Sequence, residues 1–404
     1  MMKPVLVHDA DRQEQDEATL TPADAAFIPL SDPDITTAEI EAVEATLRSP
    51  RLSNGAVVER FEAAFAAYLG RKYAVAVPSG TLGLMIALKA YGIGPGDEVI
   101  ASSYSFREIA HAISIVGARP VFADIDYYSG TLAPAKVEAK ISEKTKAIVA
   151  GNTNGHPAQW SELRDAATRH RLPLLEDSTE AIGSRYKGAL VGTFGDIAVF
   201  DISQPLALTC GEGGMVVTDD VDLAMTLRRI RRHTPGQRAS LSITTGAPYG
   251  VGMSDIAAAL GLSQLRRIDL ILERRRLITN LYDHFIQSFE GIKPPYVAPD
   301  VEEAHWFLYV VHLGTRFTRA GRDQIIEDLA TEEIAAEAYS VPMHLQARYR
   351  ELGWARGDLF VTEKVADRAV ALPFHAHLSE DQIAFVVSRM KESSINSGAG
   401  TPIY

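Results

Sequence analysis

Apolar residues recur at three- and four-residue intervals over Thr37–Leu47 and Val58–Leu69, which predicts two amphipathic helices. The rhythm then changes. Short, nearly unbroken apolar runs follow at Tyr73–Val77, Glu98–Ala101, Pro120–Asp124, Ala147–Ala150, Leu172–Glu176, Ile197–Ile202 and Met215–Thr218. Helical patterns lie between several of them, at Leu82–Tyr91 and Arg107–Val116 for example, and Gly92, Gly94, Pro95 and Gly96 end the first of these. Such runs suit strands buried on both faces, and their alternation with helices predicts a mostly parallel sheet covered on both sides. A long helical pattern starts at Ser254, reaches about Phe289 and stops before Pro294 and Pro295. A strand at Trp306–Leu313, a helix at Arg319–Thr331, the segment Tyr339–His344 and a helix from Ser379 then predict a smaller α+β lobe. The expected organisation is a flexible arm at 1–26, a large α/β domain at 27–290, a small domain at 291–391 and a flexible Ser/Gly-rich tail at 392–404.

Composition narrows the function. The 404 residues are 46% hydrophobic and 23% charged, ample for a sizeable core. A net charge of −12 without a basic block leaves no electrostatic footprint for nucleic acid or an anionic membrane. The single cysteine, Cys210, excludes an internal disulfide and a cysteine-built metal site, and no metal is expected. No run approaches the roughly 18–20 apolar residues of a membrane span, and the acidic N-terminus lacks a signal-peptide core. A cytoplasmic protein is expected.

In an open parallel sheet, ligands lie beyond the carboxyl ends of the strands. The first strand leads into Ser79, Gly80 and Thr81 at a helix start, whose free N–H groups favour an anion but which also reads as an ordinary cap. Ser103–Phe106 follow the second strand, where an aromatic would stack on a planar ring or simply pack. Asp177 ends a later strand, as a structural cap or as the partner of a protonated ring nitrogen.

Together with AVAVPSGTLGLMIALKAYGIGPGDEVI, LLEDSTEAIGSRYKG, VGTFGDIAVF, GEGGMVVTDD and MSDIAAALGLSQLRRID, these residues make the chain resemble the DegT/StrS family of sugar aminotransferases over about 27–391. The resemblance implies the aspartate-aminotransferase-like fold (fold type I) and a homodimer with active sites shared across the interface. It also implies cofactor roles. Gly80 and Thr81 match the turn that cradles the phosphate of pyridoxal phosphate (PLP), Phe106 the aromatic stacked on its ring, and Asp177 the carboxylate that keeps the ring nitrogen protonated. His344 matches a histidine near the substrate mouth.

The rest of the cofactor machinery departs from the family. Counting back from Gly211 puts Leu206 at the position of the Schiff-base lysine, and no lysine occurs between Lys187 and Lys293. Leucine has no amine with which to form an imine. Asp201 replaces a serine that donates to the phosphate, so a carboxylate would face a phosphate dianion at ~1–4 kcal/mol of repulsion at about 4 Å. Gly250 and Gly252 replace two polar residues, the first of which reaches the partner's phosphate. Glu180 and Ile182 replace a glutamine and a histidine, and Arg107 and Glu108 follow the stacking aromatic in place of small or apolar residues.

The leading expectation is therefore a lysine-less homologue in sugar or specialised-metabolite biosynthesis, a non-transaminating pseudoenzyme or the partner subunit of a catalytic paralogue. An alternative is a PLP-independent enzyme in which Asp201, Glu180, His344 and Arg107 form an acid–base site for dehydration, epimerisation or cyclisation of a sugar or carbonyl metabolite. A further alternative binds PLP or its pyridoxamine form (PMP) without a covalent bond, through Thr81, Phe106 and Asp177. Arg107 is expected to turn inward toward Asp201 or Glu180. The plainer readings make Asp201 a helix cap, His344 a structural histidine, His156 a loop residue and Cys210 an inert buried thiol.

Overall fold

The computed structural model of the chain describes residues 27–105, 108–203, 206–232, 248–287, 289 and 291–397. Its main sheet gathers the apolar runs as β1 (Tyr73–Val77), β2 (Glu98–Ser102), β3 (Arg119–Ala123), β4 (Thr145–Gly151), β5 (Leu174–Asp177), β8 (Ile197–Asp201) and β9 (Gly214–Thr218). The short strands β6 (Arg185–Tyr186) and β7 (Ala189–Leu190) lie between β5 and β8 in the chain. The order across the sheet is β1-β9-β8-β5-β4-β2-β3. All neighbours are parallel except at β9, which runs antiparallel to both β1 and β8. The carboxyl ends of β1, β2, β4, β5 and β8 therefore share one edge of the sheet.

Among the described residues, the same part of the chain holds the α-helices α1 (Thr37–Leu47), α2 (Ala56–Leu69), α3 (Gly80–Ala90), α4 (Glu108–Ile115), α5 (Pro134–Glu138), α6 (Trp160–His170) and α7 (Val221–Arg231). Val75, Val77, Val99, Val149, Leu175, Ile197 and Val216 meet α3 and α4 on one face of the sheet. Ala74, Ala76, Ala198, Phe200 and Val217 meet α2 on the other. This double burial is why the strands read as unbroken apolar runs.

The long helical pattern divides into α8 (Asp255–Arg266) and α9 (Ile268–Ile286). Arg267 sits at the break with ion pairs to Asp34 at 2.9 Å and Glu39 at 3.1 Å. Beyond it, β12 (Tyr309–Leu313) pairs antiparallel with β10 (Ile292–Lys293) and β13 (Ala369–Leu372). Helices α10 (Arg319–Thr331) and α13 (Glu380–Asn396) pack on this sheet through Ile325, Leu329, Ile383 and Val386.

Two expectations about boundaries are corrected. Ile28 bridges to Ile334, and Ile28, Ile278 and Tyr282 join the core of the small lobe, while β11 (Val301–Glu303) pairs with β6. A cut at 290 thus passes through shared cores. The tail expected from 392 is helical to Asn396, with Ser394 buried and the Ser393 hydroxyl donating to Asp328 at 2.5 Å. The arm at 1–26 and residues 398–404 lie outside the described residues. Among the described residues, no helix is long and apolar enough to cross a membrane.

Candidate functional site

Register builds the site. Gly214 of β9 stands opposite Val77 on one side and Asp201 on the other. A Cβ at Gly214 would lie 2.7 Å from the Ser79 carbonyl carbon, so only glycine lets the turn into α3 cross here. That close approach carries the start of α3 onto the end of β8. The Ser79 hydroxyl caps the helix by accepting the Leu82 N–H at 3.3 Å. The next free group, the Gly80 N–H, donates to Asp201 Oδ2 at 2.7 Å. Asp201 Oδ1 accepts the Ser203 N–H at 2.8 Å and also the Ser203 hydroxyl. Asp201 is buried and fully supplied with donors. The plain reading of a helix cap is the one the geometry supports, with the carboxylate turned inward rather than away. Arg107 and Phe106 lie outside the described residues.

The other end of the site is also built from carboxyls. Asp177 ends β5 and accepts the Thr179 N–H at 3.0 Å. Burial pushes its carboxyl up to about 6 against that hydrogen bond, and the nearby Asp201 and Glu176 charges add to the rise. Glu180 Oε2 accepts the Tyr339 hydroxyl at 2.6 Å and the Asn154 N–H at 2.7 Å. Burial pushes this carboxyl up to about 7, the two hydrogen bonds oppose the rise, and Asp177 adds to it. Tyr339 comes from the small lobe and packs edge-on against Tyr104, with ring centroids 5.3 Å apart. Sequence reasoning missed Tyr339, Asn154 and Ser203. Tyr339 is 159 positions from its partner, and no local pattern marks it.

Leu206 is buried in an apolar cluster with Phe307, Leu308, Val310, Ala369 and Ala371, and Leu30 and Tyr339 pack against it. Leu206, where the family resemblance expects the lysine, is thus part of the contact between the two lobes. Gly250 takes a left-handed φ of 72°. A Cβ at Gly252 would fall 2.0 Å from Asn54 Oδ1, so a side chain there would require the Asn54 amide to move.

Of the two readings of His344, the structural one has the geometric support. It is fully buried, with Nδ1 2.7 Å from the Ser103 hydroxyl and Nε2 3.1 Å from Glu363. Both ring nitrogens are engaged in tying the small lobe to the end of β2. His156 is likewise structural, with Nδ1–H donating to the Pro157 carbonyl at 2.7 Å and Nε2 accepting the Ala298 N–H at 3.1 Å. Burial pushes the Cys210 thiol up to about 12, which leaves it unreactive near neutrality. No group of three or more His, Cys, Asp or Glu is placed to hold a metal among the described residues.

The parallel sheet with one reversed strand, the helix start beyond β1 and the aspartate at the end of β5 together define the fold-type I class of PLP-dependent aminotransferases. Solved members of that class superpose on 92% of the chain. The chain belongs to the DegT/DnrJ/EryC1/StrS aminotransferase family, whose profile matches residues 33–391. The spore coat polysaccharide biosynthesis protein SpsC of Bacillus subtilis is 36% identical over 91% of this chain and 97% of its own length. The GDP-perosamine synthase of Caulobacter vibrioides is 36% identical over 84% and 91%. The PMP form of Spr1654 from Streptococcus pneumoniae superposes with a TM-score of 0.87 at 27% identity, over 92% and 98% of the two chains. The family and fold that the motifs implied are therefore established.

The residues present do not fit a lysine-bound PLP. The imine position is an apolar leucine in a packed cluster, and the phosphate end holds a carboxylate already bonded to the helix N–H.

Proposed function

We infer that the chain is a non-transaminating family homologue working in sugar, polysaccharide or specialised-metabolite biosynthesis. It acts in the cytoplasm as a homodimer or as the partner subunit of a catalytic paralogue. The names of its relatives support the metabolic setting. One observation carries the loss of chemistry: Leu206 is buried in an apolar contact where an aldehyde would need an amine. The test is to incubate purified protein with PLP, reduce with borohydride and digest for mass spectrometry. No pyridoxyl adduct and no absorption band of a lysine–cofactor imine are expected. A stoichiometric adduct on any lysine would refute the reading.

A second reading has its own support. Glu180, with its carboxyl near 7 and the Tyr339 hydroxyl at 2.6 Å, has the properties of a general acid–base for a sugar or carbonyl metabolite. Substrate turnover by the protein without cofactor, lost in Glu180→Gln, would select it. Reversible retention of PLP or PMP with no adduct would instead favour non-covalent cofactor use.

A further inference from the structure

We propose that Asp201 is a tethered anion that takes the place of the cofactor phosphate, so that the chain closes this end of its own pocket to phosphate-bearing ligands. The proposal deepens the reading above and rests on it. The start of α3 offers free N–H groups and the positive end of an eleven-residue helix dipole. In this chain the Gly80 N–H is not left for a ligand, because Asp201 Oδ2 accepts it at 2.7 Å. The carboxylate cannot swing away cheaply. Its second oxygen is held by the Ser203 N–H and hydroxyl, and its own N–H is anchored on Thr179 Oγ1 at 2.9 Å.

Packing fixes the same arrangement. A Cβ at Gly80 would lie 2.8 Å from the Asp201 Cβ, so helix start and strand end are pressed together with no gap for an intervening group. A phosphate entering here would have to displace a bonded carboxylate or sit beside it as a second anion. The serine that relatives carry at this position would donate to a phosphate, whereas the aspartate substitutes for one. A ligand reaching the remaining polar end, at Asp177 and Glu180, must then be one that does not dock through a phosphate at α3.

The test uses inorganic phosphate as the probe and the Gly80 amide as the reporter, in full-length ¹⁵N-glycine-labelled protein. Wild type is expected to show no phosphate-dependent movement of the Gly80 resonance. Asp201→Ser and Asp201→Asn are expected to bind phosphate at least about ten-fold more tightly, with Gly80 moving on binding, as removal of one adjacent charge requires. Wild type that binds phosphate at Gly80 overturns the proposal, and so do folded variants that bind it no better than wild type. If Asp201→Ser fails to fold, Asp201→Asn keeps the shape and an acceptor oxygen, and the wild-type titration decides in either case. Because the probe carries no aldehyde, the two ideas fail separately. Phosphate on wild-type Gly80 without a borohydride adduct defeats only the tethered anion, and an adduct defeats the lysine-less reading.

Discussion

The two ends of the ancestral pocket are both built from carboxyl groups, yet they are prepared for opposite tasks. At the α3 end, Asp201 receives three donors from Gly80 and Ser203 and serves as structure. At the β5 end, Asp177 and Glu180 are as deeply buried but less well supplied, and their carboxyls are pushed to about 6 and about 7. Burial alone does not decide what a carboxylate becomes. Hydrogen bonds to the charged form offset the cost of desolvation, and at Asp177 and Glu180 the donors present do not offset it fully. One end of the pocket is sealed, and the other retains groups able to exchange protons near neutrality.

The strongest challenge to this contrast is Leu206→Lys. An ammonium in the cluster of Phe307, Leu308 and Val310 should cost ~3–5 kcal/mol at pH 7, the scale of an uncompensated buried charge. The buried amine would lose its proton more readily than in the unfolded chain, so stability should recover as pH rises toward the ordinary lysine range. Urea denaturation at several pH values measures this. No transamination should appear, and a variant as stable as wild type would mean that the cluster around Leu206 is wet.

Asp201→Ala should cost ~2–3 kcal/mol by leaving the Gly80 and Ser203 N–H groups without their acceptor and the helix start without its anion. A loss below the resolution of thermal denaturation would remove the case for a structural role.

The open end is probed by pH. The folded value of Glu180, about 7, lies above its ordinary 4.5, so between those values the folded state holds the extra proton. Stability from that proton is complete below about 4.5 and is lost as pH rises through 7. Glu180→Gln should flatten this stretch of the stability curve by ~3 kcal/mol. Tyr339→Phe should move the Glu180 titration upward, as followed by carboxyl ¹³C shifts, since the Tyr339 hydroxyl favours the charged form. A downward movement would contradict the assigned hydrogen bond. The smallest effect is expected from Ser203→Ala, ~1 kcal/mol for one of the donors to Asp201.

Much of this protein could be read from its residues in order. The apolar runs at Tyr73–Val77 and Ile197–Ile202 announced buried strands, because a strand covered on both faces has no polar side to show. The family motifs then gave the expectation that Gly80, Asp177, Asp201 and Leu206 occupy cofactor positions, and a leucine's lack of an amine follows from its identity alone. Other features had no local signal. The break at Arg267 comes with ion pairs to Asp34 and Glu39, more than 200 residues earlier. The C-terminal serines looked like a tail by composition, but Ser394 is buried in a helix that packs on the small lobe. His344 matched a motif, and only the placement of Ser103 and Glu363 around it shows a tie between lobes.

Residue identity alone determined that no lysine stands between Lys187 and Lys293 and that position 206 carries no amine, since that depends only on the functional groups the chain has or lacks. The rest was decided by tertiary structure. Asp201 becomes an internal anion because β9 sets Gly214 between Val77 and Asp201 and so brings α3 onto the end of β8. Glu180 is pushed up to about 7 because burial strips away its water and Asp177 lies nearby, against the hydrogen bonds that Tyr339 and Asn154 bring from other segments. Hydrogen-bond supply and desolvation are properties of a place in the fold, and that place exists only after the chain has closed around it.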